Sequence, residues 1–236
     1  VGISLERDGL RSGEMASRVR HGGFMGGLEL FDRGFFRISL GEASVMDPQQ
    51  RLLLESAYAT CHGSGYRRLS LLGSDVGVYV GIEHLDWQLL HAMQSSQTAL
   101  QRQSAYAASG EQGHVASGRV SFVLGLQGPC VSYDTACSSA LAAGHAAWRA
   151  VQLSECDVAL LEAISLMLLP AVGMAFAVAG MTSVNGRCHT FDARADGFVR
   201  GEACGAMALQ RSPGPGLSVW LRGAAVRQDG RRASLT

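Results

Sequence analysis

The sequence predicts a layered α/β fold in which one sheet packs against helices. Short apolar runs alternate along the chain with longer segments of helical periodicity, a pattern typical of this architecture. Apolar residues make up 47% of the 236 positions, enough for a substantial core. Charged residues make up 17%, against about 25% in an average domain, and glycine is abundant. We therefore expect tight packing and a surface that is partly covered.

The first predicted elements are a helix and a strand. Asp47 followed by Pro48 has the form of an N-cap with proline at the first helical position. Leucine and tyrosine side chains at helical spacing extend this helix over residues 49–61. Residues 75–82 form a short apolar, β-branched run, which predicts a buried strand.

A second group of elements occupies the middle and end of the chain. Residues 111–124 have helical character up to a break at Gly128-Pro129, and residues 130–135 are predicted as a strand. Residues 136–148 carry small side chains at nearly every position, which predicts a central helix packed on all sides. Further strands are predicted over residues 157–169, 204–210 and 217–226, and a surface turn over residues 213–216.

The uncharged segment 163–186 is long enough to span a bilayer. Helix-breaking and turn residues interrupt it at Pro170, Gly173, Gly180 and Asn185-Gly186. The segment therefore predicts a buried strand, a break and a short buried helix instead of a membrane span.

Composition excludes several classes of function. Formal net charge is zero and the charges are dispersed, unlike the basic stripe of a nucleic-acid-binding protein. All 20 basic residues are arginine, so these residues supply no lysine amine. The six cysteines are irregularly spaced without a C-x-x-C pair, which indicates free thiols in a reducing compartment and no metal site. Residues 1–20 lack the apolar segment of a signal peptide.

One cysteine lies where a thiol can be activated. Residues 131–140 predict a strand, a sharp turn and a helix whose first residue is Cys137, the thiol counterpart of a nucleophile elbow. The N–H groups and dipole of a helix N-terminus favour a thiolate and can face the oxyanion formed on a thioester carbonyl. The alternative is that Cys137 is only a small buried apolar side chain.

The sequence Asp-Thr-Ala-Cys-Ser-Ser-Ala at residues 134–140 resembles the active-site signature of β-ketoacyl synthases, particularly those of modular type I polyketide synthases. Other segments match the same family in the same order over about residues 22–231: 46–55, 77–81, 118–122, 128–129, 179–181, 186–202, 204–205 and 228–231. Several ordered matches make a coincidence a poor explanation.

The resemblance implies a thiolase-like fold, of which this chain supplies the N-terminal half: a mixed sheet flanked by helices, with a buried central helix after the nucleophile. Residues 1–21 match poorly, and residues 22–236 are assigned to that half of the domain. The implied reaction is acyl transfer to Cys137 followed by decarboxylative Claisen condensation with a malonyl-type thioester, in polyketide or fatty-acid biosynthesis. In the family, two histidines and a lysine from the second half complete the site.

Further expectations follow from the resemblance. Cys137 is the one catalytic residue assigned, with no metal and no directly bound cofactor, because substrates arrive on the phosphopantetheine of an acyl carrier protein. That carrier protein and a second copy, paired through strand 131–134, are the expected partners, in the cytoplasm. None of the seven histidines is favoured as catalytic: His21, His62, His84, His91, His114, His145 and His189.

The remaining motif residues have structural interpretations. Asp134, Ser138 and Ser139 are expected to satisfy backbone groups around the turn. Six charged residues are expected to form a buried ionic network that shapes the pocket: Arg119, Asp192, Arg194, Asp196, Arg200 and Glu202.

Three functions remain open from the sequence. The chain is part of an active condensing domain, or a catalytically silent module that binds carrier proteins or dimerises, or a thioester hydrolase or acyl carrier that uses Cys137 alone. Under the first hypothesis, the 236 residues by themselves catalyse no condensation, because the family's lysine is absent from them.

Overall fold

The computed structural model describes residues 12–83, 86–93, 105–212 and 219–231. In chain order the elements are α1 (Ser12–Arg18), β1 (Gly22–Gly23), α2 (Arg33–Phe36), α3 (Leu40–Val45), α4 (Pro48–Gly63), α5 (Arg68–Leu71), β2 (Val76–Ile82), α6 (Asp86–Met93), α7 (Ala105–Gly110), α8 (Ala116–Leu124), β3 (Cys130–Tyr133), α9 (Ser139–Leu153), β4 (Val158–Ser165), α10 (Pro170–Val178), β5 (Arg200–Gly201) and β6 (Ala203–Gln210).

The main sheet has four strands in the order β3-β2-β4-β6. Strands β3 and β4 pair parallel with β2, whereas β6 pairs antiparallel with β4, so the sheet is mixed as predicted. Because β2, β3 and β4 run the same way, their carboxyl ends meet at one side, which we call the carboxyl edge. Strands β1 and β5 form a separate parallel ribbon.

Helices cover both faces of the main sheet. Helices α4 and α8 pack on one face, and α9 packs on the other against β2 and β4. Each face of the sheet has its own hydrophobic core, and alternate residues of β2 point into one or the other. Val78 and Val80 belong to the core under α4 and α8, and Tyr79 belongs to the core under α9. All seven residues of β2 are buried, as expected of a central strand covered on both faces.

Helix α4 confirms the prediction made from its N-cap. Asp47 Oδ1 accepts a hydrogen bond of 2.7 Å from the N–H of Gln49, and Pro48 occupies the first helical position. Leu53 and Leu54 on its inner face are completely buried. The same pattern that predicted the helix therefore also supplies its contact with the sheet.

Helix α9 corrects two expectations. It begins at Ser139 instead of Cys137, because Ala136 has a positive φ of 55° and Ser138 is the N-cap residue. It is also not buried on all sides, since Leu141 is 79% exposed. Small residues permit packing on every side, but in the described chain only the face that bears Ala143 and Ala147 meets the sheet.

The other helix and strand boundaries also differ from the predictions. The region 111–124 contains a short 3₁₀ turn, Gly113–Val115, before α8, which ends ahead of Gly125 with its positive φ of 73°. Strand β4 stops at Ser165 because its neighbour β2 ends at Ile82 and β6 begins at Ala203, so no partner continues. The end of the predicted strand 157–169 is therefore irregular.

Two apolar segments are less buried than the sequence predicted. Only Ala177 of α10 is buried, so this helix lies at the surface of the described chain. Residues 219–226 form no strand and Trp220 is 69% exposed, because no neighbouring strand offers them backbone partners. The start of the predicted strand 217–226, the predicted turn 213–216 and His84 lie outside the described residues. No helix in the described ranges is long and apolar enough to cross a membrane.

Candidate active site

Cys137 lies in a tight turn between β3 and α9, at the carboxyl edge of the sheet. Its neighbour Ala136 has a φ of 55°, in the left-handed region that disfavours residues with a Cβ atom. Backbone strain of this kind persists only where surrounding contacts hold it, and it is concentrated at functional turns.

Three polar side chains hold the turn in place. Asp134 Oδ1 accepts a hydrogen bond of 3.1 Å from the N–H of Ala136. Ser139 Oγ accepts one of 2.8 Å from the N–H of Thr135 and donates one of 2.7 Å to the carbonyl of Ala136. Ser138 Oγ donates a hydrogen bond of 2.8 Å to the carbonyl of Thr135. The predicted structural roles of these three side chains are confirmed.

A glycine on the central strand sets the position of the helix start. A Cβ atom placed on Gly81 would lie 2.6 Å from the backbone nitrogen of Ala140 and 2.7 Å from the carbonyl carbon of Ser139. The end of β2 and the first turn of α9 thus approach as closely as their backbones allow. Sequence reasoning did not identify this role, because the contact joins two distant parts of the chain.

The Cys137 thiol is exposed, whereas Cys61 and Cys156 are buried. The interpretation of Cys137 as a buried apolar side chain is therefore wrong for this chain. Cys137 also precedes the N-cap residue Ser138, so it lies just outside the helix, at the positive end of the helix dipole. A strand, a strained turn and a 15-residue helix thus present an exposed thiol at the carboxyl edge.

A cleft of about 210 Å³ lies beside the turn, between the ends of β2 and β3. Asp134 lines this cleft in addition to bracing the turn. Glu83, His114 and Tyr133 also line it, and the ring of His114 is carried by the 3₁₀ turn before α8. The cleft places polar and ionisable groups beside the segment that leads into the turn of Cys137, which the sequence did not predict.

A second set of buried polar groups fixes the segment that follows β4. Asp86, which is 2% exposed, accepts hydrogen bonds of 3.1 and 3.0 Å from the N–H groups of Leu168 and Leu169. Gln49 Oε1 accepts one of 3.3 Å from the N–H of Leu166. Burial raises the pKa of the nearby Asp47 to about 6, against the opposing effect of its hydrogen bonds with Gln49.

The predicted single ionic network is wrong, because its members lie in separate places. Arg119 is 7% exposed and donates to Glu42, to Gln50 Oε1 at 2.5 Å and to Ser109 Oγ at 3.2 Å. The carboxylate of Glu202 instead accepts two backbone N–H groups, those of Met25 and Met167, each at 2.8 Å. Backbone N–H groups, and not an arginine side chain as predicted, therefore bond the carboxylate of Glu202.

The remaining members of that predicted network are also dispersed. Asp192 pairs with Arg194 at 2.7 Å in an exposed loop, and hydrogen bonds from Arg194 lower the pKa of Asp192 to about 2. Asp196 accepts hydrogen bonds from Ser183 and Asn185. No group of three or more histidine, cysteine, aspartate or glutamate side chains in the described ranges is arranged to hold a metal ion.

Known structures share this fold. The ketosynthase from module 6 of the bacillaene synthase of Bacillus subtilis 168 is 36% identical with a TM-score of 0.70, over 80% of this chain and 30% of that chain. The oxazolomycin ketosynthase domain of Streptomyces albus JA3453 is 33% identical with a TM-score of 0.72, over 80% of this chain and 33% of that chain. The fold is therefore thiolase-like, as the resemblance implied.

Sequence comparison gives the family. The family described as "Beta-ketoacyl synthase, N-terminal domain" matches residues 5–213, and the chain belongs to it. A phenolphthiocerol/phthiocerol polyketide synthase of Mycobacterium tuberculosis is 40% identical over 234 residues, 97% of this chain and 15% of that protein. The phthioceranic/hydroxyphthioceranic acid synthase of Mycobacterium bovis is 40% identical over 219 residues, 91% of this chain and 10% of that protein.

These comparisons confirm the family predicted from the ordered motifs. The chain spans at most 15% of the length of these two polyketide synthases and about a third of the two ketosynthase structures. The division at residue 21 and the catalytic assignment of Cys137 stay predictions.

Proposed function

We propose that this chain carries the nucleophile of a ketosynthase that acts in polyketide synthesis, with Cys137 as the acyl acceptor. The observation that carries the proposal is the exposed thiol of Cys137 on a strained strand–turn–helix at the carboxyl edge of the sheet. In open α/β sheets, ligands bind outside the carboxyl ends of the strands. The turn is braced by side chains on both sides of the cysteine, which keeps the thiol in one place.

The first step is a thioester exchange. The sulfur of Cys137 attacks the carbonyl carbon of an acyl thioester, and the C–S bond to the phosphopantetheine arm of an acyl carrier protein breaks. The thiol proton of the cysteine ends on the departing pantetheine sulfur, so atoms and charge balance. The positive end of the α9 dipole, next to Cys137, is suited to stabilise the oxyanion of the tetrahedral intermediate.

The second step forms the new carbon–carbon bond. A malonyl-type thioester loses carbon dioxide, its carbanion attacks the acyl carbonyl carbon, and the bond to Cys137 breaks to return the cysteine sulfur. In the family this step needs histidines and a lysine, and these 236 residues contain no lysine. We therefore infer that the 236-residue chain by itself accepts an acyl group and forms no carbon–carbon bond.

An acyl carrier protein and a second copy of the chain are the proposed partners, in the cytoplasm. Strand β3 supports the second copy, because it is the edge of the main sheet and no described strand pairs with its outer side. Val131 on this strand is 39% exposed, which suits pairing across a two-fold axis.

Acylation by hexanoyl-N-acetylcysteamine tests the proposal. Intact-mass and peptide analysis should find one hexanoyl group on Cys137, which Cys137→Ala abolishes. Cys188→Ala is the matched control, since Cys188 is another exposed thiol and its loss should leave the adduct unchanged. Malonyl-carrier protein should release no carbon dioxide with the chain alone.

The other functions give different results in the same experiment. Absence of an adduct on Cys137, combined with binding of an acyl carrier protein, would leave the catalytically silent module. Repeated release of hexanoic acid, lost in Cys137→Ala, would instead identify a thioester hydrolase.

A further inference from the structure

A second cavity, of about 280 Å³, lies beside the β1–β5 ribbon, and we call it the ribbon cavity. The segment after β4 and the start of α10 form its apolar side, through Met167, Leu168 and Pro170. Phe198, next to β5, and Thr182 also line the cavity. Cys137 is not part of the wall, and its strand β3 is separated from β4 by β2, about 10 Å at the usual strand spacing.

Basic side chains line the ribbon cavity. Arg18, His21 and Arg200 line it, and no aspartate or glutamate among the described residues does so. Glu202, which follows β5, does not line the cavity, and its two carboxylate oxygens accept the backbone N–H groups of Met25 and Met167. The cavity therefore combines apolar walls with basic side chains, of which Arg200 faces no acidic partner among the described residues, and this combination favours an anion attached to an apolar body.

Two polar groups of the cavity wall have no partner within the described chain. The guanidinium of Arg200 lies 5.5 Å from the ring centroid of Phe176, and no hydrogen bond or ion pair joins it to another described residue. Thr182 is 4% exposed, and its buried Oγ1 is also without a hydrogen-bond partner. Buried polar groups are almost always satisfied, so the unsatisfied Oγ1 of Thr182 beside this cavity indicates a missing partner, and the half-buried guanidinium of Arg200 is available to pair with a ligand there.

We propose that the ribbon cavity binds a small amphipathic anion, an apolar chain that ends in a carboxylate or a phosphate. Arg200 pairs with the anionic group, and Met167, Leu168 and Phe198 contact the chain. Its volume is close to the lower limit of about 300 Å³ for pockets that hold drug-sized ligands, so the chain must be short. Binding at this site requires no chemistry at Cys137.

Calorimetric titration of the 236-residue chain with four probes tests this proposal. Hexanoate and hexyl phosphate combine chain and anion, hexanol lacks the anion, and acetate lacks the chain. Hexanoate, hexyl phosphate or both should bind at least tenfold more tightly than hexanol and acetate, because a charge-assisted hydrogen bond and the apolar contact are each lost in one control. The tighter of the two anions identifies the source of the oxyanion, carboxylate or phosphate.

Variants locate the site. Arg200→Gln should weaken binding at least tenfold, whereas Arg200→Lys keeps the charge and should retain part of the affinity. Arg194→Gln is the matched control, because Arg194 lies in an exposed loop and pairs with Asp192. The affinity of this variant for hexanoate and hexyl phosphate should equal that of the unchanged chain. Thermal melting of each variant verifies that it is folded.

Cys137→Ala separates this proposal from the proposed function. It should bind hexanoate normally even though it accepts no acyl group, so the two proposals fail independently. Equal affinity for hexanol and hexanoate, or unchanged affinity in a folded Arg200→Gln variant, would overturn the assignment of the ribbon cavity.

Discussion

The two faces of the main sheet are packed by different kinds of side chain. The face under α4 and α8 holds large aliphatic residues such as Leu53, Leu54 and Leu160. The face under α9 holds mainly alanines, with Tyr79 as the one large buried ring among its described residues. Large side chains keep helices at a distance from a sheet, whereas small ones allow close approach.

Because of this difference, one face mainly stabilises the fold and the other mainly positions the turn of Cys137. The α4 face buries most of the apolar area, which is the main stabilising contribution. The α9 face brings the backbone of α9 against Gly81, and the same helix start carries the turn of Cys137. Changes on the α4 face should therefore act on the free energy of unfolding, and changes on the α9 face should act on acylation of Cys137.

The α4 face also contains an acid that opposes stability. Glu162 on β4 is completely buried, its Oε1 accepts a 2.8 Å hydrogen bond from Ser56, and its Oε2 has no partner. Desolvation raises its pKa from 4.5 to about 8, despite the opposing hydrogen bond from Ser56. The folded chain therefore holds this proton at pH values where the unfolded chain has lost it.

Glu162→Gln should give the largest change in stability. The free energy of unfolding of the unchanged chain should fall as pH rises from 4.5 to about 8, since the native state binds the extra proton, by on the order of 5 kcal/mol. The glutamine variant should lose the part of this pH dependence that Glu162 causes and be more stable than the unchanged chain above pH 8, as measured by urea unfolding at pH 5 and pH 8.5.

Two controls define this result. The exposed Glu155→Gln should keep the full slope. The pKa of Asp47 is also raised, to about 6. Asp47 therefore adds a smaller decrease in the free energy of unfolding between about pH 4 and 6, and this decrease should persist in Glu162→Gln. A slope that is the same with and without Glu162 would mean that this carboxylate is hydrated and ionised in the native state.

Gly81→Ala should give the next largest effect, and mainly on the α9 face. The added Cβ overlaps the backbone at Ser139 and Ala140, so the helix start must shift. Overpacking of this kind costs about 1–3 kcal/mol. Hexanoylation of Cys137 should slow by at least tenfold, because the turn moves with the helix.

Gly118→Ala is the matched control for Gly81→Ala. Gly118 lies in α8, and a Cβ atom there meets nothing within 4 Å. This variant should stabilise the chain by about 0.5–1 kcal/mol and leave the hexanoylation rate unchanged. Equal rates in both glycine variants would show that the position of α9 does not control the thiol.

Local sequence signals predicted much of this fold and part of the site. The Asp47-Pro48 start of α4, the buried strand β2 and the turn between β3 and α9 each depend on neighbouring residues, and each was predicted. The ordered motifs around Cys137 also predicted the family.

The features that the sequence did not reveal depend on distant contacts. Gly81 must be small because residue 140 touches it, and Glu162 is buried because α4 covers it. The apolar segment around Trp220 was predicted as a strand, but apolarity does not specify a backbone partner, and the described residues provide none. The sequence pattern of a segment indicates which secondary structure it prefers, whereas tertiary contacts decide whether it is buried and whether it finds a strand to pair with.

Ala136→Gly should produce the smallest change in stability and should separate strain from position at the turn. Glycine accepts the positive φ of 55° without the Cβ penalty of about 1–2 kcal/mol, but it makes the unfolded chain more flexible, by about 0.5–1 kcal/mol. Net stabilisation of between about 0 and 1.5 kcal/mol should appear in urea unfolding. The bracing bonds from Asp134 and Ser139 use backbone atoms of residue 136, so the variant retains them and should be hexanoylated within about threefold of the unchanged rate. A much larger fall in rate would show that the strained alanine itself, and not the bonds around it, fixes the thiol.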